Sequence, residues 1–245
     1  MTETIARSED QSLPLSMPVL LSFVAGYVDS YTYLGLFGLF AAQVTGSFVI
    51  AGAEFVTRDF GIAGKLLAIV AFLTAAAASA ALIALARNTG RAALPFMLSL
   101  EALLLALFVG IAVFGPPIKD ARDWHGIAAG LFAAMAMGAQ SVLVRLLMKD
   151  IPQTNVMTGN MTQLGIAITD IVMAWRRFAR SRHDASAAAE FGKVRDHLLT
   201  VLSIALGFMA GVASGALAFA TAGLRGAVVA VAIVAAVALW AAARE

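Results

Sequence analysis

Eight stretches of this chain carry no Asp, Glu, Lys or Arg: 11–28, 30–53, 66–86, 102–118, 126–144, 151–169, 198–224 and 226–243. They run from 17 to 27 residues, and about 20 apolar residues span a bilayer as a helix. No other feature limits the fold so tightly. In lipid every backbone N–H and C=O must find a partner within the chain, which leaves helices or a closed barrel. Runs of this length and hydrophobicity specify helices. The sequence therefore predicts an all-α, polytopic membrane protein.

Composition narrows the chemistry. Only 13% of residues are charged and 61% are hydrophobic, against roughly a quarter and a half in soluble domains. There is no cysteine, which excludes disulfides, thiolate metal sites and cysteine nucleophiles. His125, His183 and His197 all lie outside the apolar cores, so the sequence offers no set of histidines for a buried metal. It carries no G-x-S-x-G, Walker loop or H-E-x-x-H. The expectation is a protein that is not an enzyme, with no metal, no cofactor and no nucleic-acid partner.

Glycine, proline and charge clusters divide the chain. Residues 1–14 read as a disordered tail, with no cleavable leader. Residues 15–118 form a first membrane unit with apolar segments at 17–40, 44–57, 66–86 and 94–114. Residues 119–245 form a second, with segments at 126–148, about 156–175, 198–220 and 226–243, and a charged cytoplasmic loop at 176–197. Arg58 and Asp59 bracket the loop after the second segment. Trp124, Trp175 and Trp240 fall at predicted span ends, where aromatic belts belong.

The two units resemble one another. Val44–Gly52 aligns with Met157–Gly165 at an offset of 113, matching Thr, Gly and the later Gly. Ser22, Gly26, Asp29 and Tyr33 align with Ala134, Gly138, Ser141 and Arg145, each set on a single helix face. Together these predict two repeated halves and about six transmembrane helices, with broken or re-entrant helices at the Thr-Gly motifs. A count of six gives inverted halves and a count of eight gives parallel halves. Basic residues divide equally well either way under the positive-inside rule.

Five charges sit in or beside apolar segments: Asp29, Glu54, Glu101, Arg145 and Asp170. Asp29 lies about 12 residues into its segment, roughly 18 Å along a helix, and reads as mid-membrane. It is either a hydrogen-bonded structural carboxylate or a proton- or ligand-linked one. Arg145 either snorkels to the interface or forms an ion pair with Asp29. Glu54, Glu101 and Asp170 read as solvated span ends.

The Thr-Gly breaks are the second candidate site. Thr45 and Thr158 suit an N-cap, and Gly46 and Gly159 allow close backbone approach. Ser47, Asn160, Thr162 and Gln163 add hydrogen-bonding capacity. Equivalent discontinuous helices in two repeats point to a transporter site; small polar residues equally serve as packing seams. The candidate substrate-binding set is thus Asp29, Thr45, Gly46, Ser47, Thr158, Gly159, Asn160 and Gln163. The leading functional expectation is a small secondary transporter of an unidentified solute, with the proton as a candidate coupling ion. The alternative is a scaffold or accessory subunit that transports nothing. The sequence specifies no oligomeric state.

Ala25–Asp29, Thr45-Gly46-Ser47, Met137–Ser141 and Met157–Gly165 resemble the YoaK-like family, bacterial inner-membrane proteins grouped as a domain of unknown function. The likeness extends from about 17 to 243. Ser47 stands where the family pattern has Asn, and Ser141 where it often has Asn. The resemblance implies a multi-pass protein of the bacterial plasma membrane and no established activity.

Overall fold

A computed structural model describes residues 14–57, 61–180 and 184–244. Most of the predicted tail, Arg58, Asp59 and His183 lie outside the described residues. The chain forms α1 (Ser16–Gly35), α2 (Val44–Thr57), α3 (Ile62–Asn88), α4 (Ala93–Phe114), α5 (Trp124–Leu147), α6 (Met157–Arg180), α7 (Ala185–Ala222) and α8 (Val228–Ala242). A 3-10 turn, Gly223–Ala227, joins the last two. Four helical stretches among the described residues are long and apolar enough to cross a membrane. They are Ile62–Asn88, Ala93–Phe114, Trp124–Leu147 and the 58-residue stretch Ala185–Ala242. The last holds two helices, because the chain turns at Gly223 with φ +56°, where a side chain would be strained.

Helix packing interlocks the two halves of the chain. α1 packs chiefly on α7, and α5 chiefly on α3. α2 lies on α3 and α6 on α7, while α4 packs on α5 and α8. The closest approaches use glycine. A Cβ at Gly26 would strike the Phe208 carbonyl, one at Gly211 the Phe23 carbonyl, and one at Gly138 the Phe72 carbonyl. Small residues let helix backbones come this close in membranes, where burial from lipid contributes little to association. Gly211→Val should accordingly cost upwards of about 3 kcal/mol, since a backbone carbonyl rather than a flexible tip blocks the new atoms. Gly52→Ala, where nothing lies within 4 Å, should stabilise α2 by about 0.5–1 kcal/mol. Thermal unfolding of the two purified variants in one detergent checks both signs.

Contacts fix the helix directions. Along α1 and α7, Val19 meets Gly207, Phe23 meets Gly211 and Tyr27 meets Gly215, so the two helices run parallel. Along α3 and α5, Gly64 meets Ile127 and Arg87 reaches the Leu146 carbonyl, so these also run parallel. α8 runs against α1: the Tyr27 hydroxyl donates to the Gly226 carbonyl near its start (2.9 Å), and Met17 and Leu20 share a groove with Val237 and Trp240 near its end.

Among the described residues, the charged segment expected as a loop at 176–197 is helical. α6 continues to Arg180 and α7 begins at Ala185, so the charges decorate a helical hairpin. Arg177 pairs with Glu190 (2.8 Å) and Phe178 stacks on Phe191 (5.6 Å between ring centres). Gly207 is level with Val19. Seventeen residues separate Glu190 from Gly207, so at 1.5 Å per residue the hairpin projects roughly 20 Å past the start of α1. Hydropathy alone misses this because charge ends an apolar run without ending a helix.

Asp184 caps α7 by accepting from the Ser186 N–H (2.8 Å). The Ser186 side chain, and then its backbone N–H, hold the Asp184 carboxyl below its ordinary value. A depressed folded-state value stabilises above the unfolded one and is lost as pH falls through the folded one. Amide protection factors in the first turn of α7 should therefore fall on acidification through the carboxylate range, and Asp184→Ala should remove that dependence.

Candidate functional site

Each Thr-Gly motif opens a helix that begins after the chain has folded back on itself. The only two non-glycine residues of positive φ among those described are Phe37 (53°) and Asp150 (60°), one in each break and 113 positions apart. Seven residues before Ser47 and before Asn160 stand Phe40 and Gln153. The Ser47 hydroxyl donates to the Phe40 carbonyl (2.9 Å) and accepts from the Phe40 N–H (3.1 Å). The Asn160 side-chain amide donates to the Gln153 carbonyl (2.7 Å). Ser47 and Asn160 are 1% and 2% exposed. Both therefore staple their own breaks, and their hydrogen-bonding capacity goes largely to backbone polar groups that would otherwise be orphaned in an apolar setting.

The remaining motif residues are placed differently from expectation. α2 starts at Val44 and α6 at Met157, one residue before each threonine. Thr45 and Thr158 are therefore helical, exposed, and not N-caps. Gly46 leaves room for the Phe40 ring, which a Cβ would meet at 2.6 Å, whereas Gly159 has only Val156 at 3.7 Å. Gln163 and Thr162 are exposed on the outer side of α6, whose buried positions are Asn160, Ala167 and Ala174. The eight-residue set does not converge on one cavity.

Asp29 has a different partner from the one proposed above. It is buried in α1, and its carboxylate accepts from the Ala42 N–H (2.7 Å) and the Gln43 N–H (3.2 Å). These amides immediately precede α2. A helix N-terminus favours an anion, and here the chain supplies its own. Arg145 is exposed near the end of α5, and among the described residues no ion pair joins it to Asp29.

The second break is held by neutral groups. Gln140 donates to the Leu21 carbonyl (2.9 Å) and to the Thr154 hydroxyl (2.8 Å). Ser22 lies within hydrogen-bond distance of the Thr154 and Ile204 carbonyls (both 2.9 Å). The Asn155 amide donates to the Ser141 hydroxyl (2.5 Å). Gln140 Oε1 and Asn155 Oδ1 are buried acceptors left without a partner. Sequence reasoning named none of Gln140, Thr154 and Asn155 as site residues, although Gln153, Thr154 and Asn155 stand together in one uncharged run.

The other intramembrane charges also move. Glu54 is not a solvated end: it pairs with Lys65 (2.6 Å), which is 2% exposed and donates as well to the Phe37 carbonyl (3.0 Å). That pair closes the outer end of the first break. Glu101 is wholly buried, correcting its reading as a span end, while Asp170 is exposed on α6.

Residues 17–240 match the family described as "Protein of unknown function (DUF1275)". The chain belongs to this family. No curated protein and no solved structure matches it. The family assignment and the apolar helices agree on a helical membrane protein.

Proposed function

We propose that this DUF1275 protein is a small secondary transporter of the bacterial plasma membrane, built from two inverted halves with six crossings: α1, α3, α4, α5, α7 and α8. The carrying observation is the pair of folded-back breaks. The first dips from the end of α1 to Asp29, six residues or about 9 Å below it, and α2 climbs back to Lys65 at the start of α3. The second dips from the end of α5 to Ser141 and Ser22, and α6 leaves by the same face. α2 and α6 are then re-entrant from opposite faces, an arrangement transporters use for sites near the midplane. The face bearing Arg87, Arg91, Lys149 and the α6–α7 hairpin is the cytoplasmic one by its basic excess.

The unmet acceptors support the second break over the first as the solute position. Asp29 occupies the first, whereas Gln140 Oε1 and Asn155 Oδ1 offer unmet acceptors to a hydrogen-bond-donating polar solute. The scaffold reading draws on a specific observation as well: Ser47, Asn160 and Asp29 are satisfied within the chain.

A cysteine-free chain makes the test direct. Cysteines at Thr57 and Ala179 should react with an impermeant thiol reagent from opposite sides of the membrane; reaction from one side only means eight crossings. A third, at Ser141 beside Asn155, should label to a degree that changes with pH or solute. If it stays inert from both sides in folded protein, the scaffold reading replaces transport.

A further inference from the structure

We infer that Glu101 is an intramembrane proton-binding site, an inference that deepens the transport reading and rests on it for its physiological use. Glu101 lies eight residues into α4, about 12 Å from its start and roughly 20 Å from its end. It is 0% exposed, and neither carboxyl oxygen has a hydrogen-bond partner. It shares one face of the helix with Met97, Leu98, Leu104, Leu105 and Phe108, all buried.

The other two enclosed acids have donors facing their carboxyl oxygens. Asp29 receives two backbone N–H groups and Glu54 receives Lys65. Glu101 receives nothing. The elements packed against α4 carry their charges at the ends: Lys65 and Arg87 on α3, His125 and Arg145 on α5, and Arg225 in the turn before α8, which has none. None of them is paired with Glu101. An ionised group with no partner in such surroundings is strongly disfavoured, so the packed state holds the neutral acid. Release breaks one O–H bond, leaves the electron pair on the carboxylate and passes the proton to water. That requires α4, α5 and α8 to part enough to admit water. Proton occupancy at Glu101 is thereby tied to how tightly these helices pack, which is the coupling a proton-driven carrier needs.

The test uses the purified full-length protein in liposomes and the apolar probe dicyclohexylcarbodiimide. A protonated buried carboxyl adds across one C=N bond of the carbodiimide and rearranges to an N-acylurea, gaining one whole reagent molecule with no atom lost. Peptide mass spectrometry should find the adduct at Glu101. Its rate of formation should fall about tenfold per pH unit above the midpoint of proton release. Infrared difference spectra should show a protonated-carboxyl C=O band that fades over the same range and is missing in Glu101→Gln. If Glu101→Gln does not fold, the adduct and its pH dependence in the unaltered chain decide alone. A folded protein without an adduct at Glu101, or a carboxyl band that never changes with pH, overturns the proposal. Both readouts follow proton binding rather than flux. A failed transport assay would therefore leave the site standing, and a missing site would leave the transport reading to the cysteine experiment.

Discussion

Asp29→Ala should lower the unfolding free energy by about 2–5 kcal/mol, because it strands the Ala42 and Gln43 N–H groups in a dry interior. Each stranded donor costs about 1–3 kcal/mol, and Asp29 is only 3% exposed, so bulk solvent does not reach these groups. Asp29→Asn should be intermediate. Its carbonyl oxygen can still accept from one N–H, but its NH2 group opposes the other donor. Thermal unfolding in detergent ranks the three proteins, and amide exchange localises the damage to residues 40–50. If Asp29→Asn matches the unaltered protein in stability yet loses a proton-dependent activity, Asp29 is a proton carrier and not the anchor of α2. That outcome would return the functional charge from α4 to α1.

Breaking the Glu54–Lys65 pair should be the other large loss. Lys65→Met leaves Glu54 14% exposed and without its counter-ion, for which about 3–5 kcal/mol is typical of a buried pair. It also removes the donor to the Phe37 carbonyl, and Phe37 already holds a left-handed backbone. Glu54→Gln with Lys65→Met should recover a substantial part of the loss, since the double variant buries no unpaired charge. A double-mutant cycle on the midpoint of thermal unfolding measures the coupling. Additive losses would mean that the pair is screened by solvent and that Lys65 acts only through Phe37.

These two clusters close the first break, and the second break has neither. Position 42 is Ala where the offset of 113 puts Asn155, and Asp29 answers to Ser141. A carboxylate bonding backbone amides on one side is exchanged for a side-chain amide bonding a hydroxyl on the other. The first arrangement is a lock in which one carboxyl group accepts from two backbone N–H groups. The second is neutral and leaves two acceptors open.

Much of the architecture was legible in the residues. Uncharged runs of bilayer length require helices, because in lipid no other open structure satisfies its backbone. The matching Thr-Gly motifs located both breaks, since any folded-back segment needs small residues and side-chain hydrogen bonds to close it. Side-chain partners were not legible. Asp29 and Ala42 are 13 positions apart, Ser22 and Ile204 are 182 apart, and nothing in local periodicity says which helix faces which. Burial was equally hidden for Glu101, because a charge near the end of an apolar run looks the same whether its helix continues into the bundle or stops at the interface. Composition and spacing thus determined that the chain is a helical membrane protein, and the Thr-Gly motifs marked where two of its helices begin. Only tertiary packing decided which polar groups spend their hydrogen bonds on the fold and which are left with bonds to give, because that depends on contacts between residues far apart in the chain.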